Sequence, residues 1–153
     1  MLNPNTSIEA QFMDDPFNLS RFVQAQADTF ETALAEIRAG LKRTHWMWFI
    51  FPQFTGLAFS PTSQHFAIKS VEEARAYLAH PTLGLRLLEC AEATLDIEGR
   101  SAQEIFGSPD DLKLKSCATL FKAISPPNSV FERLLQKFYA GEPDQKTLAL
   151  LRF

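Results

Sequence analysis

The sequence predicts an all-α fold, one compact domain of about seven to nine short helices that is neither a coiled coil nor a repeat, and three observations carry that expectation. Helix-capping signals recur along the chain, each closed by a stop; apolar residues repeat behind them at helical spacing; and no stretch alternates apolar and polar residues as a half-buried strand does.

In chain order, Asn18 is the expected cap of a helix carrying Leu19, Phe22, Val23 and Ala27. Asp28-Thr29-Phe30-Glu31 opens TALAEIRAG, which closes on Gly40. Met47 to Phe51 is apolar on both faces and reads as a short helix feeding into Pro52. Ser70-Val71-Glu72-Glu73 opens a helix that stops before Pro81, and Thr82 opens a longer one ending at Gly99. Ser101-Ala102-Gln103-Glu104 opens a short turn ending at Gly107. Ser108-Pro109-Asp110-Asp111 starts a helix with proline at its first position and acids in its first turn, running toward Pro126-Pro127. Ser129-Val130-Phe131-Glu132 opens the last, which ends at Gly141. Val130, Phe131, Leu134, Leu135, Phe138 and Tyr139 line one stripe of it; Leu114, Cys117, Ala118 and Phe121 line another on the helix before. Residues 1–15 are expected to be a loose N-terminal segment and 16–153 a single helical domain, with 125–128 a tight connection.

Composition narrows the function classes. The chain has 153 residues, 46% hydrophobic and 22% charged, and 14 phenylalanines against 2 tyrosines predict an aromatic core with few polar handles. At this length folding buries about 68–70% of the unfolded surface, enough for one core. The net charge is −3 and the 15 basic residues are scattered, so no basic stripe argues for nucleic acid. Cys90 and Cys117 lie far apart in apolar helical stretches without a CxxC, and are expected to be buried free thiols in a reducing cytoplasm. No signal-peptide pattern opens the sequence, and the longest aromatic-apolar run, Trp46 to Phe51, is far below the ~20 residues of a membrane span, so a cytoplasmic protein without membrane contact is expected.

The densest aromatic stretch is THWMWFIFPQF, residues 44–54. Trp46 and Trp48 differ by about 200° around a helix, so one indole is expected in the core and the other at a cavity. HWMWFIFPQ, followed by GRSAQEIFGSPDDLKLKS and TLF, resembles a family of small bacterial and fungal proteins of unknown function, often described as calpastatin. The resemblance covers about residues 15–151 and implies an all-helical fold with no established activity. The calpastatin description conflicts with the composition, because that inhibitor is polar, repeat-built and disordered until bound.

The candidate ligand-binding residues are His45, Trp46, Trp48, Gln53, Arg100, Gly107, Asp110 and Lys113, in a pocket where 45–53 meets 100–113. An indole would stack a ring and Gln53 read its edge, while Arg100 and Lys113 hold an anionic group and Gly107 leads into a helix N-terminus whose free N–H groups favour an anion. That set suits a nucleotide-like or other anionic metabolite, for binding or for catalysis. The alternative is a structural or interaction module that presents the aromatic segment to a protein partner or a second copy. His65 and His80 have no partner at metal spacing, Asp14-Asp15 and Asp110-Asp111 are adjacent rather than facing pairs, and P-loop, GxGxxG and elbow-serine motifs are absent, so no metal or cofactor is called for.

Overall fold

Residues 15–152 are described in a computed structural model, and among them ten helices supply the regular structure: α1 (Ser20–Ala27), α2 (Phe30–Arg38), α3 (Met47–Ile50), α4 (Pro61–Phe66), α5 (Val71–Ala79), α6 (Leu83–Leu95), α7 (Ala102–Phe106), α8 (Asp110–Ala123), α9 (Val130–Tyr139) and α10 (Gln145–Leu151). The expected loose segment falls, but for Asp15, outside the described residues.

Helices α6 and α8 form the centre. In α8 every residue from Ser116 to Phe121 is buried, because α5, α7, α9 and α10 pack around it. Helix α6 buries Leu83, Leu87, Cys90, Ala91 and Thr94 at three- and four-residue spacing, against α2, α3, α5 and α9. Gly84 lets α6 approach the end of α5: a Cβ there would stand 2.1 Å from the Leu78 carbonyl oxygen. The predicted stripe on α9 is present, with Val130, Phe131, Leu134 and Leu135 buried and Phe138 and Tyr139 half-buried. Cys90 and Cys117 are buried free thiols; burial, with the Glu89 carboxylate adding to it, pushes Cys90 up to about 12, and burial raises Cys117 as well.

Capping divides into signals that hold and signals that do not. Ser70, Ser101 and Ser129 each accept the N–H three residues on, and at Ser101 the Glu104 carboxylate returns the bond to complete a capping box. Neither Asn18 nor Thr82 caps its helix. The Asp15 carboxylate takes the Leu19 and Ser20 N–H groups, and the His80 Nδ1 takes those of Thr82 and Leu83, so in both cases the acceptor stands upstream of the expected residue. Helix α2 has no side-chain cap at Thr29. Pro109, preceded by a cis peptide, is at the N-cap of α8 rather than its first helical position, and α8 ends at Ala123, before the proline pair. Two helices were not foreseen: α4, capped by Ser60, and α10, capped by Asp144.

One non-helical tie crosses the chain. Phe54 and Ile68 form a parallel bridge, with Ile68 N–H donating to Gln53 O and Thr55 N–H to Ile68 O. Beside it the buried Arg21 guanidinium meets Glu73 at 2.6 Å and also donates to the carbonyls of Phe17, Asn18, His65 and Ala67. These bonds satisfy a charge that would otherwise be costly to bury.

Candidate functional site

The aromatic segment is anchored from below by one carboxylate. Glu36, on the buried face of α2, accepts at Oε1 from the backbone N–H of Arg43 (2.8 Å) and Thr44 (3.0 Å) and the Trp46 indole N–H (2.9 Å), and at Oε2 from the Thr44 hydroxyl (2.7 Å). Burial alone would raise this carboxyl; those four donors outweigh it and bring the pKa down from 4.5 to about 2. Trp46 is therefore core, with its one polar atom satisfied, and it packs edge-on against Phe106 of α7. Met47, Ile50 and Phe51 are buried with it. Trp48 is half-buried, so the two indoles differ in burial as expected, although Trp46 precedes α3 with a non-helical backbone and the helical angle is not what separates them.

The two predicted segments do meet. Lys42 N–H donates to Ile105 O, Phe51 and Phe106 pack edge to face, and the Lys113 ammonium lies 5.0 Å from the Trp48 ring centroid. Asp110 sits between two lysines, 2.9 Å from Lys42 and 3.3 Å from Lys113. Lys113 thus covers the indole face on which a ligand ring was expected to stack, and Trp48 and Asp110 together fix the position of its ammonium.

Beyond Lys113 a cleft of about 820 Å³ opens between the Gln53–Ala58 turn, α8 and the connection into α10. Its polar lining includes Gln53, Lys113, Lys115, Ser116 and Lys146. Neither Lys115 nor Lys146 pairs with a carboxylate among the described residues. Glu142 and Asp144 also line it, but Asp144 Oδ2 is occupied by the Thr147 N–H, the Thr147 hydroxyl and the Ser116 hydroxyl. Lys115, Ser116 and Lys146 were missed by sequence reasoning; their only signal is that they are polar, and their convergence depends on α10 returning to α8.

Other predicted residues lie apart. Arg100 lines a separate groove of about 680 Å³ with Arg38, Leu88, Glu92 and Asp96, and donates to the Gly40 carbonyl. His45 is exposed. Gly107, at φ 73°, closes α7, its N–H given to Gln103 O; the N–H groups of Asp111, Leu112 and Lys113 are likewise taken, by Gly107 O and Pro109 O. The expected anion seat at that helix start is thus largely spent on its own backbone.

A helical fold of this kind with a lysine-lined cleft defines no chemistry by itself, and comparison with known proteins agrees. Residues 16–151 match the family described as Protein of unknown function (DUF1810), and the chain belongs to that family. It is similar to the conserved hypothetical protein Rv1873 from Mycobacterium tuberculosis, whose crystal structure covers 91% of this chain and 99% of that one at 52% identity and a TM-score of 0.89. No curated protein matches the chain. No helix among the described residues is long and apolar enough to cross a membrane.

Proposed function

We propose that the protein binds a small anionic metabolite, nucleotide-like or simpler, in the cleft between the Gln53–Ala58 turn, α8 and α10. The observation that carries the reading is the pair of ammonium groups with no carboxylate partner among the described residues, Lys146 and Lys115, the latter 5.9 Å from the Tyr139 ring centroid, beside Lys113 in its ion pair with Asp110. Lysine is a strongly hydrated point charge, and two without a carboxylate partner among the described residues, on a lining that also holds the ion-paired Lys113, Glu142 and the hydrogen-bonded Asp144, suit a phosphate or carboxylate better than a neutral ligand. Gln53 supplies both a donor and an acceptor at the same wall. The volume lies in the range of small-molecule sites.

The alternative, docking of a protein partner or second copy on 44–54, has less surface to use: Trp46, Met47, Ile50, Phe51 and Pro52 are buried, leaving Thr44, His45 and the edges of Trp48, Phe49, Gln53 and Phe54. The calpastatin description gains no support either, since an inhibitor of that kind has no folded core before it binds.

The test is a thermal-shift screen against inorganic phosphate, nucleotides, sugar phosphates and small carboxylates. A ligand at 100 times its Kd adds about 2.7 kcal/mol to stability. A hit lost in Lys113→Met and Lys146→Met but kept in Arg100→Ala places it in this cleft, and conversion of that hit on incubation identifies an enzyme. A flat screen on folded protein, or a hit lost only in Arg100→Ala, overturns the assignment.

A further inference from the structure

The cleft that gathers the lysines is not polar throughout. Leu57, Ala58, Pro109, Leu112 and Pro143 line it too. Leu112 is 56% exposed although Leu114, two residues on in α8, is fully buried, so the core does not use Leu112. Phe59, next in the chain to Ala58, is 76% exposed, and Leu150, 38% exposed, lies against Gly56 of the same turn. Of the six large apolar side chains left to solvent among the described residues, Leu112 thus lines this cleft, and Phe59 and Leu150 lie beside the turn that forms one of its walls. Scattered exposed apolar residues are ordinary, but a group of them bordering a concavity marks a contact surface.

An anion of small, wholly polar character would use the lysines and leave those side chains in water. A ligand with an apolar body would use both. We infer that the occupant is a monomeric amphiphile: an anionic head, phosphate or carboxylate, held by Lys113, Lys115 and Lys146, on an alkyl, acyl or aryl body laid against Leu57, Ala58 and Leu112. This rests on the anion-binding reading above and specifies its ligand class. A single ligand rather than a bilayer is the occupant, because the lysines line a concavity of about 820 Å³.

The experiment titrates the protein by calorimetry with inorganic phosphate, a free nucleotide, hexyl phosphate, octyl phosphate and octanoate, the amphiphiles below their micelle concentrations, and separately with anionic phospholipid vesicles. Affinity is expected to rise about fourfold for each methylene that the cleft buries, so octyl phosphate binds about 15-fold tighter than hexyl phosphate when both added groups are covered. Leu112→Ser lowers the octyl phosphate affinity more than the inorganic phosphate affinity, and Lys146→Met lowers every member of the series. Inorganic phosphate or a free nucleotide binding as tightly as octyl phosphate overturns the amphiphile and leaves the anion site standing. Absence of binding by every probe removes both. Binding to anionic phospholipid vesicles but not to monomeric octyl phosphate or octanoate also overturns the proposal, in favour of a membrane surface.

Discussion

Neutralising Glu36 should cost the fold stability only where the carboxyl is charged. Its pKa is about 2 in the folded protein against 4.5 for the free group, and one pKa unit corresponds to about 1.36 kcal/mol, so the charged form contributes about 3 kcal/mol. A depressed folded pKa means that this contribution is complete above pH ~5 and is lost as pH falls from 4.5 through about 2. Glu36→Gln is the informative variant. Its remaining carbonyl oxygen can still accept from Arg43, Thr44 and Trp46, so the geometry survives while the charge is removed. Urea denaturation followed by emission of the fully buried Trp46 measures both proteins from pH 7 to pH 2. Other carboxylates titrate equally in the two, so the stability difference isolates Glu36. That difference is expected to shrink by about 3 kcal/mol across the acid range. Parallel curves would refute the account of this anchor.

Two further outcomes test the packing. Arg21→Met leaves Glu73 buried without its partner and should cost about 3–5 kcal/mol in urea melts, more than Glu73→Gln, because Arg21 also serves four carbonyls. Gly84→Ala should lower the melting temperature, whereas in a solvent-facing helix the same change stabilises by about 1 kcal/mol; a raised melting temperature would contradict the close approach of Leu78.

The helices were legible where their signals are local. Ser101 and Glu104 lie three residues apart and complete each other's bonds, so the sequence alone contains the whole device. The signals at Asn18 and Thr82 failed because a better-placed acceptor, Asp15 or His80, sits just upstream and only the backbone path decides between them. Helices α4 and α10 carry sound starts at Ser60-Pro61 and Asp144, yet at six and seven residues they are too short for apolar periodicity to announce them. Of the site, the unequal burial of Trp46 and Trp48 was expected from their separation, and the nearness of Lys113 to the aromatic segment from the pocket composition rather than from spacing. Glu36 was not, since a glutamate within an amphipathic helix reads as solvated and its four donors come from the loop beyond. Lys115 and Lys146 were equally silent, being brought together only by tertiary return of the chain.

The bridge between Phe54 and Ile68, reinforced by Arg21 on the carbonyls of His65 and Ala67, closes the neck of the segment 55–67, which contains α4. Within it Phe66 packs against Phe22 and Phe49 and ties α4 to the core, whereas the turn at 55–60 has no buried residue, and doubling the length of such a loop costs only about 0.6 kcal/mol of closure entropy. Leu57 and Ala58 belong to that turn, whereas Lys113 and Lys115 belong to the central helix. One wall of the cleft can therefore change length and character while the opposing central helix stays in place, so the two sides of one concavity answer to different constraints.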